Sequence, residues 1–204
     1  MKHSITCQCD HVFSAEIPES VDLDDLPDGV TQIMDGSFLA LQCPSCDSTL
    51  KPEFPISVRW ASHAALLRVY PEFDRGYLYK HGFPKDSGDI LIGYPELADR
   101  IAVLRDGLDP MAVETLKYYL LLKAEETDSE AEVSAWFQGK AGTDLEFHIH
   151  GLRPEEVAVS RIPIKMYEKT AEEYRVHPLS EPFQTLKRGS YLSIQNVFRS
   201  EENT

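Results

Sequence analysis

The residues best suited to chemistry in this chain are its four cysteines, which form two short clusters. Cys7 and Cys9 are separated by one residue and Cys43 and Cys46 by two, and the 204-residue sequence contains no other cysteine. Two such pairs, joined by one loop, can bring four thiolates around a single tetrahedral Zn²⁺. Because four thiolates leave no open coordination position, the spacing predicts a structural zinc site rather than a catalytic one.

The cysteines also allow other interpretations. The site could be degenerate, with a Cys43–Cys46 disulfide, or His3 or His11 could replace one thiolate. A Cys-x-x-Cys redox catalyst normally opens a helix, whereas Cys46 is followed by Asp-Ser-Thr and a strand pattern. Acidic surroundings also raise a thiol pKa, so redox chemistry is disfavoured.

A second candidate group lies in the C-terminal part of the chain. Glu146, His148 and His150 share one face of a predicted strand, because side chains alternate along a strand. They could ligate a metal, with Trp136 across the predicted hairpin. The other face of that strand is apolar, with Leu145, Phe147 and Ile149. The sequence therefore favours a solvated sheet face over a second metal site.

The charge balance restricts the class of partner. The net charge is −14, and residues 1–60 contain three Lys or Arg against ten acids. Five of these acids lie between residues 19 and 28, interleaved with apolar residues that could form a docking segment. Binding to nucleic acid or an anionic membrane needs clustered Lys and Arg, so both are excluded as partners. A basic protein partner fits this charge, and simple solubility is the alternative explanation.

The lack of long apolar segments indicates the cellular compartment. No apolar run approaches the length needed to cross a bilayer, and the N-terminus lacks the apolar region of a secretory signal. The sequence therefore predicts a cytoplasmic protein, in which paired cysteines favour metal over disulfide.

The elements around the cysteines are predicted to be strands. Each cluster is expected to be a tight turn between two strands, with a short helical turn at 30–34 closed by Gly36. Further strands, forming an antiparallel extension of the same sheet, are predicted at 56–60, 66–70, 77–79 and 89–92.

Helices dominate the next predicted segment. The pattern predicts one helix from Pro95 to Gly107 and a second that starts with Asp109 as N-cap and Pro110 at its first position. Beyond a solvated acidic linker, the sequence predicts a hairpin (132–138 and 145–150), a short helix near 154–156, a helix over 163–174 and a strand over 191–198. The domains are accordingly predicted as 1–128 and 129–204.

The two cysteine motifs, together called the cysteine frame, resemble those of a known family. Residues 5–13 (ITCQCDHVF) and 41–46 (LQCPSC), followed by RDGLD at 105–109 before a Leu-rich helix, are similar to the CpXC family of bacterial and archaeal proteins. The resemblance covers roughly residues 4 to 125 and implies a zinc-ribbon-like module, with no established activity to carry over. This chain departs from the pattern in its shorter first motif and in having Asp10 and Asp47 where a glycine is expected.

Taken together, these patterns predict an α+β protein. It comprises a zinc-ribbon-like antiparallel β module, a packed helical hairpin and a C-terminal α+β extension. Its predicted function is that of a non-catalytic, zinc-stabilised module for protein–protein interaction. The alternative is a metal-dependent enzyme or regulator that uses the C-terminal region, with His148 and His150 as its first candidate residues.

Overall fold

The computed structural model describes residues 1–85, 88–126 and 133–197. The chain forms two compact units, Met1–Ile101 and Ala102–Thr204, and mixes helices with several sheets, which confirms the α+β class. The predicted domain boundary at 128/129 falls outside the described residues and stays a prediction. Within the described ranges, no helix is both long and apolar enough to span a bilayer.

The first unit contains two small hairpins and a mixed sheet. Its strands are β1 (Lys2–Thr6), β2 (Val12–Glu16), β3 (Ser20–Asp22), β4 (Leu41–Gln42), β5 (Thr49–Leu50), β6 (Ile56–Trp60), β7 (Ala65–Tyr70) and β8 (Asp89–Ile92). Strand β1 pairs with β2, and β4 with β5, both antiparallel. One cysteine cluster lies in the turn of each hairpin, so the prediction that each cluster joins two strands is confirmed.

The mixed sheet differs from the prediction. Within this unit its strands lie in the order β8-β7-β6-β3; β6 and β7 are antiparallel, but β3 is parallel to β6 and β8 to β7. The predicted antiparallel extension is therefore wrong. Parallel neighbours need a crossover connection, and between β7 and β8 the chain supplies it partly as a helix.

That helix occupies residues predicted to be a strand. The helices that begin in the first unit are α1 (Gly29–Asp35), α2 (Arg75–His81) and α3 (Tyr94–Arg105), so the strand predicted at 77–79 lies inside α2. Arg75 and Leu78, three positions apart, form the buried side of α2. The Arg75 guanidinium donates to Glu72 at 2.8 Å and to Glu96 at 3.0 Å. Glu72 is only three positions before Arg75, but Glu96 is 21 positions away. The pair with Glu96 is therefore a tertiary contact that no local pattern encodes, and it favours the helix.

The second unit packs helices against a separate sheet. Its elements after α3 are α4 (Pro110–Glu125), β9 (Ser134–Ala141), β10 (Asp144–His150), β11 (Val157–Pro163), α5 (Ile164–Val176), α6 (Phe183–Leu186), β12 (Lys187–Arg188) and β13 (Tyr191–Leu192). Strands β9, β10 and β11 form an antiparallel sheet in the order β11-β10-β9. Its core is apolar and includes Met111, Leu121, Ala135, Ile149, Phe183, Leu186 and Ile194.

Two predictions for this unit fail at turns. Residues 154–156 do not form a helix, because Glu155 adopts a left-handed φ of 61°, and β11 follows directly. The strand predicted over 191–198 ends at Leu192, where the Oγ of Ser193 accepts a hydrogen bond from the backbone N–H of Gln195 at 3.2 Å. Such a local turn competes with strand pairing. Residue 198 lies outside the described residues.

The start of α4 agrees with the sequence. Asp109 is the N-cap, and its Oδ1 accepts hydrogen bonds from the backbone N–H groups of Met111 at 2.7 Å and Ala112 at 3.3 Å. Pro110 occupies the first helical position, where its missing N–H costs nothing. The predicted cap is therefore confirmed.

We expect Asp109→Ala to lower the free energy of unfolding of the second unit by about 1 kcal/mol, because two N–H groups of α4 lose their acceptor. Urea denaturation followed by circular dichroism measures the change. Asp109→Asn is the matched control, since its amide oxygen still accepts these bonds. Equal losses in the two variants would show that the cap contributes nothing.

Candidate metal centre

The four cysteine sulfurs lie close together at the tips of the two hairpins. All four Sγ atoms are within 4.8 Å of one another. The shortest separations join the two clusters, with 3.7 Å between Cys7 and Cys46 and 3.8 Å between Cys9 and Cys43. A tetrahedral zinc with bonds of about 2.3 Å places its sulfur ligands about 3.8 Å apart. The cluster predicted from the sequence is therefore assembled, and it fits a metal ion.

Two backbone hydrogen bonds close the first cysteine turn. The N–H of Cys7 donates to the carbonyl of His11 at 2.9 Å, and the N–H of Asp10 donates back to the carbonyl of Cys7 at 3.0 Å. These bonds fold the segment so that Cys7 and Cys9 both face the second hairpin. Cys7 is buried, and Cys9 is exposed.

The second turn repeats this pattern with one additional residue. The N–H of Cys43 donates to the carbonyl of Ser48 at 2.9 Å, and the N–H of Asp47 donates to the carbonyl of Cys43 at 3.0 Å. Cys43 is buried, and Cys46 is exposed. The shorter Cys-x-Cys motif is thus accommodated by a tighter turn, and it keeps both of its sulfurs in the cluster.

The aspartate after each pair occupies a position that favours glycine. Asp10 has a φ of 61° and Asp47 a φ of 58°, both in the left-handed region. This conformation agrees with the expectation of a glycine at both positions. Aspartate tolerates it better than most residues, although less well than glycine.

We expect Asp47→Gly to stabilise the metal-bound turn by about 1 kcal/mol and Asp47→Val to destabilise it by at least as much. Competition with a chromophoric chelator should show zinc binding about fivefold tighter in the glycine variant and at least about fivefold weaker in the valine variant. The exposed Ser45, which is not among the residues with positive φ, provides the control variant Ser45→Gly. The same gain at position 45 would contradict the conformational explanation.

The thiols differ in their electrostatic surroundings. Hydrogen bonds with the Ser48 side chain and then with its backbone lower the pKa of Cys46 to about 6, and the Cys46 Sγ lies 3.2 Å from the Ser48 Oγ. A backbone hydrogen bond from Cys9 lowers the pKa of Cys7, but desolvation and thiol hydrogen bonds from Cys43, Cys9 and Cys46 raise it to about 12. Without metal, Cys46 is the readier thiolate, and metal binding must release the proton of Cys7.

Sequence reasoning missed Ser48 as part of this centre. A hydroxyl residue two positions after the last cysteine is a weak signal, because serine is common in any turn. Its role depends on the turn geometry, which places its Oγ beside the Cys46 sulfur.

The two histidines near the cluster contact aromatic rings instead of joining the cysteines. The ring of His3 packs against Phe54 at a centroid distance of 4.6 Å, and that of His11 stacks on Phe13 at 6.2 Å. Among the residues that the structure describes, the metal-ligating group comprises the four cysteines and neither histidine. The structure therefore gives no support to the histidine-for-thiolate alternative.

The second candidate group does not assemble a comparable site. His148 lies opposite Trp136 in the β9–β10 register, as predicted. Glu146 forms an ion pair with Arg161, whose Nε and terminal nitrogen both lie 3.0 Å from Oε2, and Glu146 Oε1 lies 3.6 Å from the His148 ring nitrogen. His150 is exposed. In the described part of the chain, no metal-ligating group of three or more residues occurs on this strand.

Comparisons with known proteins agree with the cysteine frame. The family model described as CpXC protein matches residues 5–117, a span that contains all four cysteines. An uncharacterized protein of Treponema pallidum (strain Nichols) is 32% identical over 215 residues, which cover 95% of this chain and 97% of the relative. No solved structure matches this chain. The family match extends over more than half of the sequence, and the chain belongs to the CpXC family.

Proposed function

We propose that this protein is a non-catalytic, zinc-stabilised module that binds another protein in the cytoplasm. The closed cluster of Cys7, Cys9, Cys43 and Cys46 carries this proposal. A four-thiolate site has no free position for a substrate or an activated water, so its metal would act on the fold. The function then resides in the surface that the metal holds in place.

Zinc is the metal that best suits this donor set. Thiolates in tetrahedral arrangement select zinc or iron–sulfur chemistry, whereas magnesium and calcium prefer oxygen ligands. The hairpins also need such support, because β4 and β5 contain two residues each. An isolated two-stranded hairpin is at best marginally stable in water. Zinc would supply binding free energy where buried apolar area is small.

The acidic segment 19–28 takes part in the fold more than the sequence indicates. Asp22 pairs with Arg59, and Asp24 accepts hydrogen bonds from the backbone N–H of Ser62 at 2.9 Å and its hydroxyl at 2.6 Å. Leu23 is buried. Leu23 therefore packs inward, and Val21 and Leu26 are half-buried. The charge of the chain, rather than an exposed docking peptide in this segment, supports a basic partner.

Affinity capture from the native cells tests the proposal. Zinc-loaded protein should recover a specific basic protein, identified by mass spectrometry, and moderate salt should release it. The Cys43→Ser protein should fail to recover it, because the surface loses its metal support. Recovery by both proteins alike would contradict a metal-dependent interaction module.

The alternative function rests on His148 and His150. It would be a metal-dependent enzyme or regulator of the second unit. Metal bound stoichiometrically by the full chain carrying Cys43→Ser, and released by a further His148→Ala substitution, would favour this alternative. The ion pair of Glu146 with Arg161 argues for a structural role of this face instead.

A further inference from the structure

The first unit contains an apolar groove of about 370 Å³. It runs between α1, the segment before β4 and the first turn of α3. Its floor is formed by Ile33, Phe38 and Leu97, each at most 4% exposed, and the rings of Phe38 and Tyr94 lie 5.9 Å apart. Ala98 lines one wall and is half-buried. This volume suits one or two bulky apolar side chains and lies at the small end of the range for enclosed ligand pockets.

The charged residues along the groove are mainly acidic. Asp35, Glu53 and Lys51 line it. Hydrogen bonds from Ser37, and then the Lys51 ammonium, lower the pKa of Asp35, so this carboxylate stays charged. Glu53 accepts hydrogen bonds from two backbone N–H groups, that of Tyr94 at 2.7 Å through Oε1 and that of Glu72 at 2.6 Å through Oε2, which hold its carboxylate in place beside the groove. Two carboxylates against one ammonium, in a chain of net charge −14, favour a cationic ligand.

Along the chain, the metal centre lies between two residues that line this groove. Phe38 comes shortly before β4, and Lys51 directly follows β5. These strands pair over two residues each, with Leu41 opposite Leu50. The turn that joins them holds Cys43 and Cys46. A metal bound to that turn would therefore fix the distance between Phe38 and Lys51.

We propose that this groove is the docking site for a basic peptide segment. The segment inserts one bulky apolar side chain between Phe38, Ala98 and Leu97. Its flanking Lys or Arg residues lie near Asp35 and Glu53. This inference rests on the proposed function and names its surface and the chemistry of its partner. The metal centre keeps the groove in its binding shape. Apolar anchors in pockets with a charged rim are a common way to dock short segments.

Fluorescence anisotropy with labelled peptides and the zinc-loaded full chain tests the proposal. The probe is Lys-Lys-Trp-Leu-Lys-Lys, compared with Lys-Lys-Ser-Ser-Lys-Lys and Glu-Glu-Trp-Leu-Glu-Glu. The first peptide should bind at least tenfold more tightly than either of the others. Ala98→Phe fills the groove and should weaken binding of the first peptide at least tenfold, whereas Ala61→Phe, at an exposed position elsewhere, should not change it.

Charge reversal provides a second variant that does not depend on repacking. Asp35→Lys should also weaken the first peptide at least tenfold, while Asp25→Lys, an equally exposed acid away from the groove, should have less than a threefold effect. Both groove variants should retain full zinc content. Chelation should abolish binding of the peptide to the wild type.

Several outcomes overturn this inference and leave the proposed function standing. One is unchanged peptide binding in Ala98→Phe and Asp35→Lys while the captured basic partner still depends on Cys43. Another is binding of 8-anilinonaphthalene-1-sulfonate in the groove without any binding of the peptide, which would indicate a small amphiphile as ligand. Peptide binding that survives chelation would separate the groove from the metal.

Discussion

The Cys43→Ser protein is expected to contain close to no zinc, where the wild type contains about one equivalent, and to lose the ordered structure of its two cysteine hairpins. Cys43 is fully buried, and its sulfur lies 3.8 Å from that of Cys9 in the other hairpin. A serine hydroxyl is a poor zinc ligand, and three remaining thiolates form an open site. Structural zinc contributes roughly 10–16 kcal/mol in small zinc-folded peptides, which is comparable to the total stability of a typical domain.

Elemental analysis measures the zinc content, and hydrogen exchange measures where order is lost. We expect faster exchange in β1, β2, β4 and β5, with unchanged protection in the β9–β11 sheet of the second unit. Ser45→Ala, an exposed substitution within the same turn, is the matched control and should keep both metal and protection. A Cys43→Ser protein with full zinc content and native exchange would overturn the structural role of the metal.

The clustering of the four cysteines could be predicted because its signal is local and specific. The spacing of Cys7 and Cys9, and of Cys43 and Cys46, restricts the ligand geometry before any tertiary contact is known. The left-handed aspartates follow from the same turns. The α4 N-cap at Asp109-Pro110 and the β9–β10 hairpin are also local patterns, which explains their agreement with the structure.

The two predictions that were wrong in the first unit depend on contacts distant in sequence. Tyr77 and Tyr79 have high strand propensity, yet they lie in α2. The buried Arg75 of this helix pairs with Glu96, which is 21 positions away in the sequence. The parallel pairing of β7 with β8 follows from the crossover between them rather than from either strand. Apolar periodicity identifies buried faces, but it does not determine which strands become neighbours.

A buried ion pair in α4 also could not be predicted from the sequence. Glu114 and Lys117 lie one helical turn apart and form a salt bridge, although their side chains are only 7% and 4% exposed. Charged residues at this spacing usually indicate a solvated helix face. Here Glu114 also accepts a hydrogen bond from the backbone N–H of Ile194 at 2.9 Å, and the Lys117 ammonium lies 5.9 Å from the centre of the Trp136 ring. The pair therefore connects three segments of the second unit.

Replacing Lys117 by methionine is expected to lower the free energy of unfolding of the second unit by about 3–5 kcal/mol, because Glu114 remains buried without its counter-charge. Methionine preserves much of the lysine volume, so lost packing should contribute little. Chemical denaturation measures the loss.

The double variant Glu114→Gln with Lys117→Met separates charge burial from packing. Its glutamine oxygen can still accept the Ile194 N–H, and no unpaired charge remains, so most of the lost stability should return. Zinc content should be unchanged in both variants, because the four cysteines lie in the first unit. A double variant as unstable as Lys117→Met alone would assign the loss to the contact of the ammonium with Trp136 instead. Recovery would show that α4 tolerates these two charges because each neutralises the other.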